Sequence, residues 1–165
     1  MVVILLLAIA LAVVLAIRWS RPAHGDGVAG GEAPPVDPQP LSYYLARADA
    51  ARGEAYFARC SYCHVITSGG PDAPGGAHAS IGPNLYGVMG NRMASRPGYA
   101  YSPALQAKGG SWDWESANRF LQGPRYFVPG TRMGFAGISN PQDRADVMVY
   151  LNRQGGSLSA PAGAH

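Results

Sequence analysis

Cys60-Ser61-Tyr62-Cys63-His64 is the stretch that decides this chain. Two thiols three residues apart on a helical turn share one face, and the next residue is an imidazole. That five-residue spacing is the signature of covalent c-type haem attachment: the thiols reach the two vinyl groups and His64 points its ring at the iron. Other chemistries fit poorly. A zinc site needs four ligands and usually a second Cys/His pair, and the remaining histidines, His24, His78 and His165, are scattered. A thioredoxin-like thiol pair would sit beside a βαβ pattern, and no alternating strand pattern is visible.

An iron held by one histidine raises the question of its sixth position. Met89, Met93, Met133, Met148 and the spare histidines are the candidates. Met133 closes Val128-Pro129-Gly130-Thr131-Arg132-Met133, where Pro129 and Gly130 restrict and turn the chain as a fixed ligand loop requires. Met148 falls in a helical pattern and reads as core. Met133 is therefore assigned the sixth position, because His/Met ligation is common in electron carriers and favours Fe(II). Such a site is closed to substrates, which points to electron transfer and not to catalysis.

The rest of the composition bounds the setting. The chain has 165 residues, only 14% of them charged, with 22 Gly and 14 Pro. Two cysteines exclude a disulfide framework. A net charge of +3, with Lys108 the single lysine, gives no basic run of the nucleic-acid type. Met1–Ile17 is an unbroken apolar run. At about 1.5 Å per residue it spans roughly 25 Å, a little short of a bilayer core. Residues 1–19 are expected to be a transmembrane anchor, with a cleaved signal segment as the other reading. Arg18 and Arg21 follow the run and none precedes it, the opposite of the positive-inside sense. Residues 20–40, rich in Pro and Gly, read as a flexible linker with almost nothing to bury.

One domain is expected over residues 41–155, with a disordered tail at 156–165. Ser42–Arg59 has helical character and Pro71–Gly110 reads as loop. Trp112–Gln122 reads as a short helix with Asp113 as N-cap. Asn140-Pro141 opens a last helix that runs to Arg153, with Val147, Tyr150 and Leu151 on one face.

Residues from about 49 to 153 resemble class I cytochromes c of the mitochondrial type. The pieces, in order, are Gly53–Phe57, Cys60–His64, Gly82-Pro83-Asn84-Leu85-Tyr86-Gly87, Pro97–Tyr101, Trp112, Pro129–Met133 with Phe135-Ala136-Gly137, and Arg144–Leu151. The resemblance implies an all-α fold, with N- and C-terminal helices crossing over a covalently bound haem. It implies that Pro83 accepts a hydrogen bond from the His64 ring, and that Tyr101, Trp112 and Thr131 contact the haem propionates. Leu85, Phe120 and Phe135 join the same pocket, Phe120 standing where the family often has tyrosine. Gly53 should let the first helix close on the last near Tyr150. Two departures stand out. Asn91 holds a place where the family often has arginine, with Arg92 one step later. The family's lysine ring is also missing, leaving Arg52, Arg59, Arg92, Arg96, Lys108, Arg125 and Arg132 as a thinner positive rim.

With the apolar run and linker, the chain looks like membrane-anchored bacterial members. The implied function is a tethered one-electron carrier at the bacterial inner membrane, its haem domain in the periplasm. It would pass electrons from a quinol-oxidising cytochrome bc complex to a haem-copper oxidase. The alternatives are a fixed haem c subunit of an oxidase, dehydrogenase or supercomplex and, further off, a small haem enzyme or gas sensor. His78, in the Gly/Pro-rich stretch 65–81, reads as a loop residue, with a structural histidine tying two loops together as the other reading.

Overall fold

A computed structural model describes residues 33–68 and 81–165. The anchor at 1–19, linker residues 20–32, and His78 with most of its loop lie outside the described residues. Among the described residues no helix is long and apolar enough to cross a membrane.

Six helices occur in order: α1 Leu41–Leu45, α2 Ala50–Phe57, α3 Pro103–Lys108, α4 Trp114–Gln122, α5 Pro124–Phe127 and α6 Pro141–Arg153. The described residues contain no β-strand, only an isolated antiparallel bridge between Arg92 and Ser111. The caps explain where the helices begin. Asp113 accepts from Ser116 N–H at 2.7 Å and opens α4. Asn140 accepts from Gln142 N–H at 2.9 Å, with Pro141 in the first turn, and opens α6. Ser102-Pro103 does the same for α3, inside a stretch expected as loop. The run Ser42–Arg59 is two helices, because the Asp49 carboxylate caps Ala51 and Arg52 N–H and starts a new one.

The main core forms where α2 crosses α6, with α1 and α4 packed on the same helix. Helix α6 buries Ala145, Val147, Met148, Val149 and Leu151. Phe57 meets Tyr150 with ring centroids 5.5 Å apart. Gly53 makes the crossing possible, for an added Cβ would lie 2.1 Å from Asp146 O and 2.8 Å from Tyr150 Cβ. A smaller cluster of Met93, Leu105, Phe127 and Val128 closes the far side.

The last ten residues and the described residues before α1 depart from expectation. Residues 156–165 are not a loose tail. Ser157 N–H donates to Met89 O at 3.0 Å, and the Asn152 amide pairs with Leu158 N–H and C=O. His165 N–H donates to Ala48 O, while His165 O accepts from Ala50 N–H, each at 2.8 Å. The first turn of α2 leaves N–H groups without helical partners, and the terminus supplies one. At the other end, Pro35 O accepts from Gln122 Nε2 at 2.8 Å, and Asp37 forms an ion pair with Arg144. The segment before α1 is therefore packed on the domain and does not belong to a spacer.

Candidate haem site

The pentad follows α2 directly. Cys60 N–H donates to Phe57 O at 2.7 Å, and His64 N–H donates to Cys60 O at 3.0 Å, so the turn continues helically through both cysteines. Cys60, Cys63 and His64 line one cavity of about 430 Å³ with mainly apolar walls, within the range for a bound cofactor. Cys60 and Cys63 form no disulfide. Burial pushes the Cys60 thiol above its ordinary value.

The imidazole is fixed by the segment that returns beneath it. His64 Nδ1 lies 2.8 Å from Pro83 O. A carbonyl only accepts, so Nδ1 carries the hydrogen and Nε2 presents a lone pair. Burial lowers the His64 pKa, against an opposing pull from the Pro83 carbonyl, which favours the neutral ring that a metal ligand needs. Gly82 leaves the room: a Cβ there would sit 2.5 Å from His64 Cε1. Asn84 holds the segment in place. Its amide nitrogen donates to Thr67 O at 2.9 Å, and its oxygen accepts from Tyr86 N–H at 2.9 Å. Gly82 and Asn84 had no assigned role in the sequence, since one glycine or asparagine among many carries no mark of what it packs against.

The turn before Met133 forms as its sequence requires. Thr131 N–H donates to Val128 O at 3.0 Å, and Gly130 has φ of 89°. Proline followed by a positive-φ glycine is the type II turn. Met133 leaves that turn, its N–H donating to Thr131 Oγ1 at 3.3 Å, and lines the cavity. Met89 also reaches the wall but is 2% exposed and packed in the main core. Met93 and Met148 are buried elsewhere.

The structure brings the other expected residues to the same cavity. Pro83 and Leu85 line it on the histidine segment, Tyr101 and Trp112 beyond it, and Phe120, Thr131 and Phe135 near the methionine loop. Trp112 and Phe120 touch, with ring centroids 4.9 Å apart. Tyr101 is half-buried, which raises its hydroxyl pKa, the Arg96 backbone pulling the other way. A buried hydroxyl and indole N–H suit a carboxylate that must leave water. The expected positive rim holds only in part. Arg59, Arg92, Arg96 and Arg132 line the cavity. Arg52 belongs instead to the core crossing, where its Nε donates to Asp146 Oδ2 at 2.7 Å. Lys108 lies 4.4 Å from the centroid of the Phe127 ring.

These residues fit a haem. Two thiols and an imidazole share one wall system, a glycine keeps the imidazole clear, and the cavity is apolar with a few polar groups suited to propionates.

Comparison with known proteins gives the same picture. The family model described as cytochrome c matches residues 50–154. A cytochrome c homolog from Bradyrhizobium diazoefficiens is 41% identical over 129 residues, covering 78% of this chain and 66% of that protein. Cytochrome c2 from Rhodomicrobium vannielii is 41% identical over 111 residues, covering 67% of this chain and 83% of that protein. Among solved structures, cytochrome cH from Methylobacterium extorquens superposes with a TM-score of 0.56 at 38% identity, covering 64% of this chain and 99% of that one.

Proposed function

The chain belongs to the cytochrome c family, and from that premise we propose that it is a one-electron carrier, not an enzyme, with haem iron held between His64 and Met133. Its cofactor is covalently bound haem c, attached at Cys60 and Cys63. That group supplies the one-electron couple. The protein supplies the rest. Pro83 fixes the imidazole through Nδ1 and strengthens it as a ligand. The type II turn presents the thioether, which raises the potential. Trp112, Tyr101 and Thr131 line the cavity and would offer hydrogens to the propionates of a bound haem.

The observation that carries this reading is that Met133, delivered by a preformed turn, lines the same cavity as His64. Two methionines reach that cavity, so the test is a pair. Met133→Ala should abolish the sulfur-to-iron charge-transfer band of the ferric protein, lower the potential and admit CO to the reduced form. Met89→Ala should keep the band and lose roughly 2–5 kcal/mol of stability as a core truncation. The reverse result would move the ligand to Met89.

The carrier is tethered by residues 1–19, with the haem domain in the periplasm of a bacterial inner membrane. It passes electrons from a quinol-oxidising cytochrome bc complex to a haem-copper oxidase. The apolar run Met1–Ile17 supports the tether. Approach by a redox partner is supported by Ile81, which lines the cavity and is 65% exposed. Detergent extraction from native membranes tests both parts. The haem-stained chain should stay with the membrane at high salt and come out as a separable cytochrome. A stoichiometric partner that persists through purification would make it a fixed subunit instead.

A further inference from the structure

Arg144 is completely buried, and each of its three nitrogens donates at least one hydrogen bond. Nε donates to Asn118 Oδ1 at 2.7 Å. Nη1 donates to Ile138 O at 2.6 Å and Ser139 O at 3.0 Å. Nη2 pairs with Asp37, whose side chain is 20% exposed. The counter-charge for this arginine thus comes from the segment before α1, more than a hundred positions away in sequence.

The two carbonyls it binds are the exit of the methionine loop. Upstream, that loop is held by the turn at Val128–Thr131. Downstream, Ile138 N–H donates to Leu121 O at 2.8 Å, and a Cβ on Gly137 would lie 2.2 Å from Gln122 O. Residues 137–139 are wedged between the end of α4 and the Arg144 guanidinium. Between these two fixings, Arg132, Gly134 and Ala136 are exposed.

We propose that Asp37 is a positioning residue for the axial-ligand loop, pinning its exit through Arg144 and so setting how readily Met133 leaves the iron. The proposal rests on the reading of Met133 as the sixth ligand. Removing the carboxylate leaves a buried guanidinium without a counter-charge, a costly state. Helix α6 cannot release Arg144 easily, because its neighbours Ala145, Val147 and Met148 are core. Among residues 133–139 only Ile138 is buried, whereas α6 is buried along most of its length, so this segment gives way first, as a local opening below the global one. With haem bound, that opening would carry Met133 away from the iron, a change of ligation with no change in oxidation state.

The test uses the full-length ferric holoprotein in urea, following the sulfur-to-iron band beside far-UV helicity. In the wild type the two should be lost together. In Asp37→Asn the band should be lost at a midpoint lower by on the order of 1 M, the helix midpoint moving clearly less. Asp37→Glu keeps the charge and should open a smaller gap of the same sign; it carries the test alone if the asparagine variant yields no folded holoprotein. Midpoints that fall together, or that do not move, overturn the proposal. A wild type without the band overturns the Met133 reading and this proposal with it, and shows before any substitution is made.

Discussion

The Cβ that alanine would place on Gly53 falls 2.1 Å from the carbonyl oxygen of Asp146. The obstacle is backbone, so no rotamer change relieves it. Helices α2 and α6 must separate, and the carboxylate of the same Asp146 is then pulled from Asp49 N–H and Arg52. Gly53→Ala should cost at least about 1–3 kcal/mol, the usual range for overpacking. Urea titration of the holoprotein checks this. Gly53 is not part of the cavity wall, so the folded fraction should keep an unchanged haem spectrum.

Gly82→Ala acts on the iron instead. The new Cβ meets the His64 ring at 2.5 Å, with Nε2 only 2.9 Å away. Haem should still attach through Cys60 and Cys63, so haem staining on a denaturing gel is retained. The ring must tilt, its Pro83 hydrogen bond lengthens, and the low-spin ferric signal should fall markedly in electron paramagnetic resonance. Stability should drop by about 1–3 kcal/mol.

Trp112→Phe keeps the packing on Phe120 and deletes one N–H. A propionate that loses a donor holds its negative charge less screened, which favours Fe(III). The potential should fall by tens of millivolts, with one-electron steps of 59 mV per factor of ten. Potentiometric titration measures it. An unchanged potential would leave Trp112 as packing alone.

The Cys-x-x-Cys-His pentad, the turn before Met133, α4 and α6 were all legible because short-range rules write them: fixed spacing, a Pro-Gly turn, an Asp or Asn cap. What could not be read was set by distant partners. Arg144 at a helix position reads as a solvated charge, and nothing local says that Asp37 lies beside it. Asp37 stands among prolines, where composition points to a spacer. The last ten residues look featureless, yet they satisfy Ala50 N–H and pair with the Asn152 amide. The break between α1 and α2 hid for the opposite reason: alanines on both sides of Asp49 mask a cap that only its hydrogen bonds reveal.

Those caps also set an acid limit. The Asp49 carboxyl lies below its ordinary value, chiefly through the Arg52 backbone N–H and then that of Ala51. Asp113 is lowered chiefly by the Ser116 N–H. A depressed folded pKa means the unfolded chain binds the proton more readily. The contribution is therefore complete above the unfolded value, near 3.8, and is lost as pH falls through the lower folded one. Stability should decline below about pH 4 for this reason. Asp113→Ala should cost about 1 kcal/mol at pH 7 as a lost cap, and progressively less as pH falls and the wild-type carboxyl protonates. Asp113→Asn keeps an acceptor and removes the charge, so it should cost little at neutral pH and flatten this part of the acid slope. Thermal melts of the three proteins from pH 7 down to about 3 distinguish these outcomes. A wild-type slope that both variants reproduce unchanged would remove the α4 cap from the acid transition.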